Sequence, residues 1–580
     1  MEQYIQRYID WLTSDYIDEG TRAELRSIKD DENEIKTRFL SYMEFGTGGL
    51  RSKMCAGCGM MNIYTVAHAT AAAAMAVLES FPDARERGVI IGYDCRNNSA
   101  AFARRCAEVM TSYGIKVYLF DELRPTPMLS FGVRHFGCAA GINITASHNP
   151  AAYNGYKFYW EDGAQPTSQT ADKVAAHMHT MDIFSVPGPD KADESLITMV
   201  GRDFDELFIK NVMAEGVYPD IIKKAADSLK VVYTPLFGCG YRIVPDVLGR
   251  AGVTHLFTVD SQMTPNGDFP GLPKPNPEYP AAFGESIKVA EKVGSDIIIA
   301  NDPDADRIGV MARDRSGEFK CITGNQMGSL LLDYIFTALE EKGEMPEKPF
   351  AVKTIVTSEM ATAICRKHNV ELDNCLTGFK NIAEAVAKHE STDNASFLLG
   401  YEESYGYMKG SYARDKDGVV AAMLICEMAA YYSLRGMTLI DAMGELYEKY
   451  GCYTEYSAEI YMEGLDGKDK IAAMMEKLRN MVPETLAGSR VVNVRDYLAQ
   501  TSRNILTGEV TGTGLASSNV MYYLAENGCV VVARPSGTEP KIKFYIQANG
   551  KDLDSASANA RSCTNTLEDM LGLPHDSLKK

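Results

Sequence analysis

No apolar run in this 580-residue chain approaches the roughly 20 residues that a membrane-spanning helix needs. Positive charge is in deficit as well: 59 Lys and Arg face 78 Asp and Glu, a formal charge of -19. That balance repels nucleic acid phosphates and anionic membranes unless basic residues cluster locally, so neither is expected as a partner. The opening MEQYIQRYIDWLTSD carries Glu2, Arg7 and Asp10 where a signal peptide would need its apolar stretch. A cytoplasmic protein is expected.

Paired metal or redox cysteine motifs are scarce. The 13 cysteines are scattered, and the one close pair is Cys55 and Cys58 in MCAGCGM. It lacks a second paired half and a thioredoxin-like strand-to-helix context, so buried, reduced thiols are expected. Two nucleotide signatures are also missing. No Gly is followed after four free positions by Gly-Lys-Ser/Thr, and FGTGGLR (45–51) has glycines without the dinucleotide spacing.

What is present is length and an alternating pattern. At about 150 residues per domain the chain suggests four domains, and its 45% hydrophobic and 24% charged residues suit globular cores. The first 45 residues read as helical, with Tyr4, Tyr8, Ile9 and Leu12 on one face. An Ala-rich helix follows around Ala67 to Leu78, then VIIGYD (89–94), a helix through Phe102 to Met110, and IKVYLF (115–120). Apolar runs alternating with helices indicate parallel α/β layers. Similar units recur at KVVYTP (230–235), DIIIANDPDADRIGVMA (296–312), FAVKTIVTS (350–358) and FLLGYEES (397–404). Residues 185–195, SVPGPDKADES, read as a linker, with later boundaries at Gly324 and Tyr450. Six prolines from Pro265 to Pro280 preclude regular helix or central strand there. The chain closes on strand, polar loop and strand in CVVVARPSGTEPKIKFYIQA, then a helix with Leu567 and Met570.

Four loops carry candidate chemistry. In ITASHNP (144–150), Ser147 beside His148 reads as a nucleophile next to a proton acceptor, or as an ordinary Ser/Asn turn. In DPDADR (302–307), Asp302, Asp304 and Asp306 alternate between apolar strands. Like charges so close raise one another's pKa, and a hard cation relieves the repulsion. An EF-hand fails because its sixth and twelfth positions would be Arg307 and Arg313, which leaves Mg²⁺ as the favoured ion and a solvated turn as the plain alternative. GYEESYG (400–406) offers Glu402 and Ser404 to polyol hydroxyls. RPSGTEPKIK (534–543) sets Arg534, Ser536, Thr538 and Lys543 around Gly537, in the manner of a phosphate cradle. Together these loops suggest phosphoryl transfer on a polyol, with one loop per domain converging on a central cleft.

Across nearly the whole chain this set resembles the α-D-phosphohexomutase family, in its long phosphoglucomutase branch. FGTGGLR, GYDCRNNS, TASHNP, NGYKFY, PNGDFPGLPKPNPE, DPDADR, TGFK, GYEESYG, RDKDG and RPSGTEPK follow the family's order. The resemblance implies three related α/β domains and a smaller C-terminal α+β domain, drawn here as 1–200, 201–324, 325–450 and 451–580. It implies that Ser147 is the phosphoserine and that Asp302, Asp304 and Asp306 hold Mg²⁺ with a Ser147 phosphate oxygen. Glu402 and Ser404 would bind sugar hydroxyls; Arg534, Ser536, Gly537 and Thr538, helped by Lys543, would hold the phosphate that is not reacting. Arg51, His148, Lys157 and Arg307 match positions near the reacting phosphate, with His148 or Lys157 handling the proton. Gly378 and Lys380 of TGFK match the loop that sorts glucose from other sugars. Pro303 departs from the family's frequent Gly, and Cys55 and Cys58 stand where members carry small or unrelated residues.

The implied reaction interconverts glucose 1-phosphate and glucose 6-phosphate through a phosphoserine enzyme and glucose 1,6-bisphosphate, which would also act as activator. Closure of a mobile fourth domain is expected to exclude water. The same chemistry on mannose or pentose phosphates stands as the alternative. A phosphatase and a non-catalytic sugar-phosphate sensor are the readings from other classes. The partner expected is a small phosphosugar, and the protein a monomer or homodimer.

Overall fold

The computed structural model describes residues 2–226, 228–392, 394–462, 467–536 and 541–578. They fall into two compact units, Met1–Thr323 with Ser404–Thr438, and Gly324–Glu403 with Leu439–Lys580.

The first unit opens on three short helices, Gln3–Thr13, Glu19–Ser27 and Glu32–Phe39. Asp18 and Asp31 cap the second and third by accepting from the N–H groups of Thr21 and Glu34. Tyr4, Tyr8 and Trp11 are the buried face of the first helix, with Ile9 and Leu12 half-buried beside them. The expected face is therefore rotated toward the indole, the largest apolar surface available there. The Ala-rich helix Ile63–Ser80 starts on an Asn62/Thr65 capping box and buries Ala69, Ala72, Ala73 and Ala76 completely. Its small side chains let the helices Ser99–Ser112 and Ser168–Thr180 pack closely against it.

A six-stranded sheet comprises β1 (Leu50–Lys53), β2 (Val89–Tyr93), β3 (Val117–Phe120), β4 (Ala140–Ile144), β5 (Tyr153–Trp160) and β6 (Ile197–Val200), in the order β1-β5-β4-β2-β3-β6. Strands β2, β3, β4 and β6 are parallel, whereas β5 runs antiparallel to both β4 and β1. The expectation of parallel layers holds for the first four only. The connection from Ile144 to Tyr153 is too short for a crossover helix, so the chain turns back as a hairpin. That hairpin loop contains Ser147. The stretch 185–195 is packed rather than a free linker. It winds through short 3₁₀ turns, Pro187 O accepts from Arg105 and Val186 O from Tyr16, and it leads directly into β6.

A second sheet comprises β7 (Lys230–Thr234), β8 (His255–Thr258), β9 (Ile297–Asn301), β10 (Ile308–Arg313) and β11 (Phe319–Ile322), in the order β11-β10-β9-β7-β8. Strands β9 and β10 pair antiparallel, which makes DPDADR the turn between them. No helix or strand occurs from Thr264 to Tyr279, as the prolines require. The helix Gly418–Ser433 is buried almost all round, and Asp417 caps it by accepting from Val419 and Val420 N–H.

In the second unit, β13 (Glu371–Cys375) and β14 (Ser396–Glu402) each pair parallel with β12 (Pro349–Thr354). A largely antiparallel C-terminal sheet includes the paired strands Val530–Pro535 and Lys541–Gly550. The helix Leu553–Leu571 packs on it and buries Leu567 and Met570. Ile355 and Val356 share one apolar cluster with Tyr522, Val532 and Tyr545, which ties this sheet to the loop after β12. No helix among the described residues is long and apolar enough to cross a membrane.

Candidate active site

Ser147 sits in the β4–β5 loop at φ +51°, a left-handed conformation that costs a non-glycine residue about 1–2 kcal/mol. It is 3% exposed. Its N–H donates to Thr145 Oγ1, and its hydroxyl donates to Asp302 Oδ2 over 2.7 Å. His148 Nδ1 lies 3.1 Å from the same hydroxyl. Burial, followed by the charges of Arg307 and Arg51, pushes the His148 imidazole well below its usual 6.5. It is therefore neutral near pH 7.

The β9–β10 turn brings Asp302, Asp304 and Asp306 together, each with a carboxylate oxygen within 4.8 Å of the others. All three are at most 1% exposed. Ala305 at φ +52° lets alternate side chains point the same way. Gly238 allows a second loop to press against the turn, since a Cβ there would lie 2.4 Å from Pro303 Cα, and Cys239 N–H donates to Pro303 O. Pro303 in place of the more frequent Gly thus leaves the carboxylates converging.

Lys157, facing Asn143 across the β4–β5 pair, reaches Asp304 Oδ2 at 2.7 Å and Asp306 Oδ2 at 2.8 Å. Burial opposes charge on this lysine, but Asp304 and Asp306 overcome it and raise its pKa. Burial, then repulsion from Asp304 and Asp306, holds the Asp302 carboxyl well above the usual carboxylate range. Burial acts in the same sense on Asp304 and Asp306, yet Lys157, joined at Asp306 by Lys416 and Arg307, brings both below it. Asp304 Oδ1 and Asp306 Oδ1 are buried and accept no hydrogen bond among the described residues. Three converging carboxylates with such oxygens form a hard all-oxygen donor set, which fits Mg²⁺.

Arg51 on edge strand β1 is exposed and donates to Asn149 Oδ1 over 3.1 Å. Arg307 Nη1 donates to Glu278 Oε1 of the proline-rich loop over 2.5 Å, with its Nε 3.8 Å from Asp306 Oδ1.

In the second unit, Gly378 has φ +108° at the start of helix Phe379–Thr392, and Lys380 is half-buried in its first turn. Burial, with Arg534 adding repulsion against the pull of Glu384, lowers the Lys380 pKa. Glu402 ends β14, 7% exposed, while Ser404 belongs to the first unit. Arg534 stands opposite Lys543 across the strands Val530–Pro535 and Lys541–Gly550, and Ser536 N–H donates to Lys541 O. Gly537 and Thr538 lie outside the described residues. Lys543 is directed to Glu459 Oε1 at 2.6 Å, its cross-strand partner, so its charge is already engaged.

Three sequence models for phosphoglucomutase/phosphomannomutase α/β/α domains I, II and III match residues 42–183, 206–317 and 323–450. A phosphoglucomutase of Staphylococcus haemolyticus is 35% identical over 532 residues, covering 90% of this chain and 92% of its own. One from Staphylococcus aureus is 32% identical over 548 residues, covering 93% and 96%.

The chain belongs to the phosphoglucomutase/phosphomannomutase family.

The family fold is shared with the parafusin phosphoglucomutase of Paramecium at TM-score 0.66 and 16% identity, covering 93% of this chain and 98% of that one. A putative phosphomannomutase from Thermus thermophilus matches at TM-score 0.65 and 22% identity, covering 90% and 98%.

Within this family member, several residues around the acidic turn escaped the sequence reading. Thr126 donates its hydroxyl to Asp304 Oδ2 and its N–H to Asp304 O, and it accepts in turn from Asn143. Lys416 Nζ lies 3.1 Å from Asp306 Oδ2 and 3.3 Å from Asp415 Oδ1, and Asp415 Oδ2 accepts from Tyr159. RDKDG was visible as a motif, but nothing in its local pattern announced an ion pair with a turn more than a hundred residues earlier. Cys58 is buried and Cys55 half-buried, all 13 cysteines are free, and burial pushes the Cys58 thiol up to about 12. Neither joins a metal-binding cluster among the described residues.

Proposed function

We propose that the chain is a phosphoglucomutase, interconverting glucose 1-phosphate and glucose 6-phosphate through phosphorylated Ser147 and glucose 1,6-bisphosphate. The observation that carries this reading is the Ser147 hydroxyl, shared between Asp302 at 2.7 Å and a neutral His148 at 3.1 Å. The names of the Staphylococcus relatives support glucose phosphates as the substrate.

In the forward transfer the P–Oγ bond of phosphoserine 147 breaks as the phosphoryl group bonds to a sugar hydroxyl. The hydroxyl proton passes to His148. Lys157 is a poor acceptor, because Asp304 and Asp306 keep it protonated, and its part is to neutralise charge. The resulting bisphosphate turns over and returns its other phosphoryl group to Ser147, and added bisphosphate primes the cycle. Mg²⁺ held by Asp302, Asp304 and Asp306, with a Ser147 phosphate oxygen, would neutralise the charge on the moving group.

Arg51 and Arg307 add local positive charge, which offsets the -19 of the whole chain near the phosphate. Gly378, Lys380, Glu402 and Ser404 are assigned to the sugar; Arg534, Ser536, Gly537 and Thr538 are assigned to the phosphate that is not reacting. Ser147 and Arg51 lie in segment 1–200, the acidic turn and Arg307 in 201–324, the sugar set in 325–450 and the phosphate set in 451–580. Ser147→Ala should abolish interconversion, and intact-mass analysis should find the phosphoryl group on Ser147 of the wild-type protein. Turnover by the variant, or a modification elsewhere, would overturn the assignment.

A further inference from the structure

The conformation of Ser147 needs an explanation that its immediate neighbours do not give. Its left-handed backbone is strained, and the local main-chain bonds, Ser147 N–H to Thr145 Oγ1 and Asn149 N–H to Ala146 O, leave the loop's own carbonyls at Ser147, Asn149 and Pro150 to be held from elsewhere. The carbonyl oxygens of the same loop converge instead on one buried side chain. Arg96 Nη2 donates to Ser147 O and Asn149 O, each at 2.5 Å, and its Nη1 donates to Pro150 O at 2.9 Å and Tyr153 O at 3.0 Å. The Arg96 side chain has no solvent exposure. Its Nε lies 3.2 Å from Asp94 Oδ2, while Asp94 Oδ1 accepts from Arg96 N–H and from Ser99 Oγ.

The guanidinium in turn lies over an aromatic ring. Phe269 of the proline-rich loop lies 5.1 Å from it, centroid to carbon, and is 1% exposed. Phe269 is itself at φ +46°. Gly267 brings that loop against the backbone, since a Cβ there would stand 2.4 Å from Asn97 N and 2.8 Å from Arg96 Cα. Asn97 Nδ2 donates to Asp268 Oδ1 at 2.7 Å and completes the contact.

We propose that Arg96, clamped between Asp94 and the face of Phe269, is the positioning residue that holds the Ser147 loop in its strained conformation and so aims Oγ at the acidic turn. The proline-rich loop then has a role in phosphoryl transfer without touching substrate. A planar guanidinium suits the task because its fixed fork spans four carbonyls, whereas a lysine ammonium is a point donor that cannot reach them together. This inference rests on the reading of Ser147 as the phosphate carrier.

The test compares wild type, Arg96→Lys, Arg96→Met and Phe269→Leu for thermal unfolding, steady-state kinetics and the rate of Ser147 phosphorylation by glucose 1,6-bisphosphate. Misplacing a reacting atom by about 1 Å costs on the order of 100-fold in rate. Arg96→Met is therefore expected to lower kcat and the phosphorylation rate by about that factor, with KM for glucose 1-phosphate within roughly twofold of wild type. Arg96→Lys should recover only a small part of the loss, and Phe269→Leu should lower kcat about tenfold, a smaller misplacement by the same rule. A merely structural role would lower the unfolding temperature yet leave kcat per folded molecule unchanged. If Arg96→Met fails to fold, wild-type kcat in both Arg96→Lys and Phe269→Leu overturns the proposal. An active wild type that takes no phosphoryl group on Ser147 overturns the phosphoserine reading and this inference together. A phosphorylated wild type with unchanged rates in the variants overturns the positioning role alone.

Discussion

The Ser147 hydroxyl donates to Asp302 Oδ2 over 2.7 Å, joining the β4–β5 loop to the β9–β10 turn across 155 residues of sequence. One hydrogen bond thus links the proposed phosphate carrier to the first carboxylate of the acidic turn. Replacing the Asp302 carboxyl by an amide tests whether that link matters. Asp302→Asn is expected to lower kcat by about 10²–10³, the usual loss when a preorganised charge partner is removed. Chelation of the wild-type protein should abolish turnover, and Mg²⁺ should restore it. Full activity after chelation would refute the assignment of Asp302, Asp304 and Asp306 to a metal.

Lys157 is the counter-charge of this turn. Deleting it leaves Asp304 buried without its ion-pair partner and Asp306 with only Lys416 and Arg307, and breaking a buried pair costs about 3–5 kcal/mol. Lys157→Met should show that loss in calorimetric unfolding of chelator-treated protein, and added Mg²⁺ should recover part of it. An unchanged unfolding temperature in chelator would mean that Lys416 and Arg307 suffice.

Asp417, next to the Lys416 that pairs with Asp306, offers a pH test. Burial raises its carboxyl to about 6, although Tyr412 and the N–H groups of Val419 and Val420 hydrogen-bond it. An acid with a raised folded value binds more protons folded than unfolded between about pH 4 and 6. Its contribution to stability therefore falls as pH rises through that window and is level above it. The difference is on the order of 2–3 kcal/mol for this buried group. Asp417→Asn keeps the cap acceptor, so it should flatten that part of the denaturation-versus-pH curve and match or exceed wild-type stability at pH 7.5. The same slope in the variant would exclude Asp417 as its source.

Arg534 and Lys543 separate a phosphate ligand from a structural ion pair. Losing a charged hydrogen-bond donor costs about 1.5–3 kcal/mol, so Arg534→Ala should raise KM roughly 10- to 100-fold. The fraction of phosphorylated Ser147 should stay unchanged. Lys543 is engaged with Glu459, so Lys543→Ala should change KM by less than about threefold, the scale of a partly exposed ion pair. Equal effects of the two substitutions would show that Lys543 leaves Glu459 when phosphate binds.

Much of this site was legible locally. Alternating aspartates between apolar strands announced a turn in which charges must converge, and Ser147-His148 after a strand announced a reactive loop. Six prolines ruled out regular structure where none is found. The β4–β5 hairpin was not legible and the packed 185–195 stretch was misread as a linker, because a parallel and an antiparallel strand show the same apolar run, and a Pro/Gly/Asp-rich segment reads as a linker whether it is free or pinned. The partner of Lys543 was not legible for a related reason: on a strand it is chosen by cross-strand register, here Glu459, which a linear motif does not encode.

The sequence by itself determined the elements, the acidic turn and the Ser147 loop, since helix and strand periodicity, proline and like-charge repulsion act over a few residues. Only the tertiary structure decided which charges those loops would meet. Lys157 and Lys416 neutralise one turn, Arg96 gathers four carbonyls of another, and Phe269 supports that arginine from a third. These pairings depend on burial, because ions removed from water must find partners wherever the fold brings them, whatever their separation along the chain.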